Sequence, residues 1–333
     1  MKPSRRTFVK QVSALAALAV IPFKAWTNNR TTHKNTIMYD VIIIGGSYAG
    51  LSAAMALGRS MRNTLIIDSG LPCNRFTPHS HNFITHDGAT PGAVRDAALQ
   101  QVLAYPTVQI DTDTVIEATK KAEGFEVRTL LGQTHVAKRL LFATGVRDVL
   151  PDIPGVKECW GKTLIHCPYC HGYEVRKQPT AAIVNNEHTY EFANMLNHWA
   201  GGLTVCTDGV QLPQDVTDKL LAKNISVIET GIASLQQEEG QLQAIVFKDG
   251  TELKVGVAYA QFPRQQHCKL PEAMGCEHNE MGLIKTDMMG RTTVDGIYAA
   301  GDAANMFRAL SIAIASGTSA GAMLNKQLIE EGL

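Results

Sequence analysis

The sequence predicts an α/β fold of two Rossmann-like βαβ units, one of them split into two segments around the other. Three stretches carry this prediction. Val41-Ile42-Ile43-Ile44 is a β-branched run that ends in Gly45-Gly46-Ser47-Tyr48-Ala49-Gly50, after which Leu51, Ala54 and Leu57 recur at helical spacing. Residues 180–184, 188–199 and 203–206 read as strand, helix and strand, a second unit of the same kind. Residues 293–302 then return to an apolar strand that runs into Gly301-Asp302.

The remaining elements follow from the same patterns. Residues 64–67 form the second strand of the first unit, and Asp68 at its end is placed to accept hydrogen bonds from a ribose hydroxyl. The turn at 45–50 offers amide donors and a helix N-terminus to a pyrophosphate. Its middle glycine is replaced by Ser47, which such a loop tolerates only where φ stays in an ordinary region. A glycine turn alone is weak support, because a βαβ unit without ligand gives the same pattern. Ala143-Thr144-Gly145 closes another apolar strand, Gly301 permits close backbone approach, and Asp302 is suited to a ribitol hydroxyl. Residues 311–328 read as a terminal helix.

At 333 residues, with 45% apolar side chains, the chain is long enough for two cores, and its formal net charge is zero. No basic stripe suggests nucleic acid, and no apolar run near twenty residues suggests a spanning helix in the body. The N-terminus differs. Ser4-Arg5-Arg6-Thr7-Phe8-Val9-Lys10 precedes an Ala-rich apolar stretch at 12–23, too short to cross a bilayer, and resembles a twin-arginine export signal. An amphipathic first helix is the plainer alternative. No clean A-x-A cleavage site follows, so the signal can remain as an anchor, and a start at Met38 would give a cytoplasmic protein.

Cys167-Pro168-Tyr169-Cys170 is followed directly by His171. Two cysteines at this spacing can close a small-ring disulfide, and an adjacent base helps the thiolate form near neutral pH. Half of a zinc site, or two buried thiols, would show the same spacing. No second C-x-x-C or C-x-x-H lies at zinc spacing, which favours redox chemistry over metal. Cys73, Cys159, Cys206, Cys268 and Cys276 are scattered and read as small buried hydrophobes.

The order of these motifs from Tyr39 onward resembles the low-molecular-weight thioredoxin reductase family. Cys-Pro-Tyr-Cys-His-Gly-Tyr-Glu at 167–174, with His171 where ordinary reductases carry Asp, is similar to the branch that includes the dithiol oxidases of gliotoxin and holomycin biosynthesis. The resemblance implies an FAD domain in two segments (38–147 and 263–333), an inserted nicotinamide-type domain (148–262) bearing the disulfide, and a homodimer, preceded here by the signal and linker at 1–37. It also implies that Cys170 is the thiol nearest the flavin and Cys167 the one that exchanges with a small dithiol or a protein thiol.

One departure from that family is as informative. Its NADPH-binding G-x-G-x-x-A turn would fall on Val184-Asn185-Asn186-Glu187-His188-Thr189, where no glycine remains and Glu187 adds negative charge. The basic cluster for a 2′-phosphate would fall near Cys206-Thr207-Asp208-Gly209, which has no Arg or Lys. NADPH is therefore a doubtful cofactor. Three readings follow: an FAD-dependent dithiol oxidase, a nicotinamide-dependent disulfide reductase with an unorthodox loop, or a non-catalytic flavin-binding redox sensor. His171 reads as the acid/base in the first, or else as a backbone-bonded structural histidine.

Overall fold

In the computed structural model the described residues are 37–333, so the twin-arginine-type segment lies outside them. Strands β1 (Met38–Ile44), β2 (Thr64–Asp68), β3 (Val108–Thr112), β4 (Val115–Lys121), β5 (Gly124–Thr129) and β6 (Thr134–Phe142) form the first sheet in the order β3-β2-β1-β6-β5-β4. It is parallel from β3 to β6, then antiparallel through β5 and β4. Along β1, Val41 and Ile43 enter a core shared with the helices Tyr48–Arg59 and Leu310–Glu330. Ile42 and Ile44 enter the opposite core with Phe125 and Val127. Both faces are covered, which is why the run is continuously apolar rather than alternating.

After β6, the short strand β7 (Val146–Asp148) leads to β8 (Leu164–Ile165), β9 (Thr180–Ile183), β10 (Leu203–Cys206) and β11 (Ile225–Ile228). The antiparallel β12 (Ile232–Glu238), β13 (Gln241–Phe247) and β14 (Glu252–Lys254) follow, then β15 (Val257–Ala260) and β16 (Arg264–Gln266). The second sheet is all parallel, in the order β11-β10-β9-β15-β8. β7 and β16 pair with each other as an antiparallel ribbon, Asp148 opposite Arg264, at the exit from and return to the first sheet. β17 (Ile297–Ala299) then rejoins that sheet beside β6. The helix read at 188–199 is shorter, Thr189–Leu196, and the terminal helix longer, Leu310–Glu330. Among the described residues, no helix is long and apolar enough to cross a membrane.

Candidate active site

The first βαβ turn is shaped by glycine. Gly45 sits at φ +105°, and a Cβ there would lie 2.4 Å from the Ala143 carbonyl oxygen, so β1 and β6 end in near backbone contact. A Cβ at Gly50 would lie 1.9 Å from the Gly45 carbonyl oxygen. Ser47 has φ −92°, which explains why a non-glycine residue is accepted there. Its side chain makes no capping bond, and the first helical turn carries no acidic residue, so the amides stay available to an anion. Asp68 is buried. It accepts the Gly46 N–H at 3.0 Å and an Arg95 Nη2 hydrogen at 2.8 Å, which fixes the carboxylate while leaving lone pairs for a ligand hydroxyl.

A cavity of about 640 Å³ opens from this turn. Gly45, Ser47, Tyr48, Ala49 and Asp68 line it, as do Ala143, Thr144, Gly145, Gly301 and Asp302, and so do Cys170 and His171. Of the residues singled out from sequence, Gly46, Gly50 and Cys167 do not line it. The two glycines instead allow the turn behind it to close. The fit to a flavin dinucleotide is good: amide donors for the pyrophosphate, acids for the sugar and ribitol, and a buried Thr144 Oγ1 that has no protein partner. Unpartnered buried hydroxyls are uncommon, and a ligand supplies the missing partner.

Cys167 is extended (φ −129°) and caps the short helix Pro168–His171, so Cys170 folds back one turn later. Both are free thiols, and their sulfurs face each other 2.6 Å apart. The Cys167 thiol is pushed down to about 7, chiefly because Cys170 donates a hydrogen bond to it; burial opposes this, and the amides of Cys170 and Tyr169 and the Arg308 charge assist. Cys170 is driven the other way by holding that proton, by burial and by the neighbouring sulfur's charge. The reduced pair thus carries its thiolate on Cys167 and its proton on Cys170. His171 is pushed below the usual imidazole range by burial first and His81 second, with Glu174 opposing.

Several site residues were not legible in the sequence. Arg308 donates to both carboxylate oxygens of Asp148, at 2.6 and 3.1 Å, and its Nη2 lies 2.7 Å from Cys73 Sγ. Cys73 is therefore not the small buried hydrophobe expected: it lines the cavity against a guanidinium. Cys159, Cys206 and Cys276 are buried as expected, whereas Cys268 is half-buried and also lines the cavity, beside an apolar cluster. His166, also lining the cavity, is pushed down to about 4, first by burial and then by Arg308. The only signal for His81 was a polar, histidine-rich stretch at 77–87. Among the described residues, no cluster of His, Cys, Asp or Glu is arranged to hold a metal ion.

The second βαβ turn is built differently. Asn186 Oδ1 accepts the His188 N–H at 2.9 Å, and the Thr189 N–H and hydroxyl both donate to the Asn186 carbonyl, at 3.0 and 2.7 Å. Asn185 Nδ2 donates to the Thr207 carbonyl at 3.1 Å, and Asp208 accepts the Ile232 N–H at 2.7 Å. The His188 and Thr189 amides are thus both bonded to Asn186 within the loop, beside the exposed Glu187.

Fold and cysteine pair together define a thioredoxin reductase-like disulfide oxidoreductase. The chain belongs to the pyridine nucleotide-disulphide oxidoreductase family, whose pattern matches residues 39–189 and 205–317. The interruption falls on the helix after the second turn. The chain is 32% identical to thioredoxin reductase tcpT of Claviceps purpurea, over 88% of this chain and 95% of that protein. It is 29% identical to thioredoxin reductase sirT of Leptosphaeria maculans, over 88% and 95%. Among solved structures, HlmI superposes with a TM-score of 0.84 at 32% identity, covering 90% of this chain and 95% of that one. An oxidoreductase from Agrobacterium tumefaciens superposes with a TM-score of 0.83 at 36% identity, covering 88% and 99%.

Proposed function

We propose that this protein is an FAD-dependent thiol oxidase: a dithiol substrate gives its electron pair to the Cys167–Cys170 disulfide, and the pair passes to flavin and then to oxygen or another acceptor. The self-capped second turn carries this reading. A nicotinamide dinucleotide would have to displace the Asn186–His188 bond and approach Glu187. Each lost charge-assisted hydrogen bond is worth about 1.5–3 kcal/mol, so two of them weaken binding on the order of a hundredfold or more.

The chain's own residues divide the work. The turn at 45–50, Asp68, Thr144, Gly301 and Asp302 would hold FAD, which supplies a two-electron acceptor when bound. Cys167 exchanges with substrate, Cys170 faces the cavity, and His171 moves the proton. Export by the Arg5-Arg6 segment and assembly as a homodimer belong to the same proposal; an exported enzyme would rarely meet NADPH.

The deciding experiment mixes the purified protein, without oxygen, first with NADPH and then with dithiothreitol while flavin absorbance is followed. Dithiothreitol bleaches the flavin and NADPH does so slowly or not at all. Cys167→Ser abolishes the dithiol route with FAD still bound. Rapid, saturable bleaching by NADPH at low concentration would overturn the proposal and restore an ordinary reductase.

A further inference from the structure

Beside the cysteine pair stands a second group of titratable side chains. The segment at 69–90, between β2 and the helix Pro91–Leu103, brings His79, His81 and Asp87 to the turn that carries His171 and Glu174. The His81 ring meets His171 edge-on, centroids 6.1 Å apart and planes at 89°. Its Nδ1 lies 3.5 Å from Glu174 Oε1 and 3.6 Å from Asp87 Oδ1, and the His79 ring centroid is 6.3 Å away. Side-chain exposure rises along this row, from 20% at His81 to 39% at Glu174 and 68% at Asp87. The row leads from the half-buried exchange centre to water.

We propose that His171, His81 and the Glu174 and Asp87 carboxylates form a proton route between the Cys167–Cys170 pair and solvent, with His81 the positioning residue that returns His171 to its neutral form. This rests on the reading that a thiol exchanges at Cys167. The first substrate thiol gives its proton to His171 and its sulfur attacks Cys167 Sγ; the Cys167–Cys170 bond breaks, and Cys170 leaves and takes that proton. The second substrate thiol gives its proton to His171, and its sulfur attacks the substrate sulfur of the mixed disulfide. The substrate S–S bond forms and Cys167 leaves as thiolate. Two electrons now reside on the cysteine pair, one proton on Cys170, and one proton must depart.

His171 is a poor place for that proton to stay. Burial and the facing His81 ring disfavour its charged form, and His81 Nδ1 stands within 3.6 Å of two carboxylates at the more exposed end of the row. The same row carries a proton outward again when Cys170 must lose its proton to close the disulfide.

The test uses that loss of the Cys170 proton. Reduced holoenzyme is mixed with 5,5′-dithiobis(2-nitrobenzoate) across a pH series, with Cys167→Ser as background for the other thiols. Cys167 thiolate displaces one coloured thiolate; Cys170 then displaces the second as the disulfide closes. In His81→Phe and His81→Gln, the second release should slow at least about tenfold and recover with added imidazole, while the first stays within about twofold. Flavin retention in His81→Gln reports that the site is intact. Equal rates in variant and parent, or both releases slowed together without imidazole rescue, would overturn the route. Dithiothreitol-driven flavin reduction, measured on the parent, reports separately: its absence alongside a normal two-step release removes the oxidase reading and leaves the proton route standing.

Discussion

Two turns of similar topology occupy the same place in their two βαβ units, and they treat their helix amides differently. At 45–50 the backbone itself packs against backbone, with Gly45 and Gly50 leaving no room for a Cβ and the helix amides free. At 184–189 Asn186 Oδ1 takes the His188 N–H, the Thr189 hydroxyl bonds the Asn186 carbonyl, and Asn185 reaches across to the Thr207 carbonyl. On the proposed function, the second Rossmann unit persists as a scaffold without phosphate-binding chemistry, because the sheet core and the turn are separable. The buried β9 and β10 need only apolar residues, whereas anion binding needs unoccupied N–H groups.

The comparison breaks most sharply by placing one alanine in each turn. Gly50→Ala should displace the turn, destabilise the protein on the order of 3 kcal/mol and empty it of flavin, since its Cβ meets the Gly45 carbonyl oxygen at 1.9 Å. Asn186→Ala should cost only about 1 kcal/mol, the worth of a lost cap, with flavin content unchanged. Gel-filtered flavin-to-protein ratios and urea midpoints measure both. Equal flavin loss in the two variants would mean the turns are not functionally distinct.

A smaller effect concerns the cysteine pair, which hangs from the second unit yet serves the cavity of the first. With its pKa lowered to about 7, the fraction of Cys167 in the thiolate form grows with rising pH and saturates above that value; an ordinary thiol near 9 would still be climbing. Iodoacetamide alkylation of the reduced protein, with Cys167→Ser subtracted, should show a midpoint near 7 and fall about tenfold per pH unit below it. A midpoint near 9 would remove the hydrogen bond from Cys170 as the source of reactivity.

Least disruptive to the folded protein is replacement of Arg5 and Arg6 by Lys. Cell fractionation should find the parent exported and the variant retained in the cytoplasm, still flavin-loaded. A cytoplasmic parent would favour translation from Met38 and weaken the link between export and the closed second turn.

Much of this was legible in the chain itself. The β-branched run at 41–44, the glycine spacing at 45–50 and Cys167-x-x-Cys170-His171 each encode local geometry, and local geometry is written in neighbouring residues. The loss of glycine at 184–189 was equally readable. Which groups then take the freed amides was not, since Asn186 could have pointed elsewhere. Nor could the sequence join Arg308 to Asp148, 160 positions away, or make Cys73 a cavity residue rather than a core one. His81 meets His171 only because the segment after β2 crosses to the other unit. Charge pairs and pKa shifts depend on distances through space, and those are decided by packing between elements far apart in the chain.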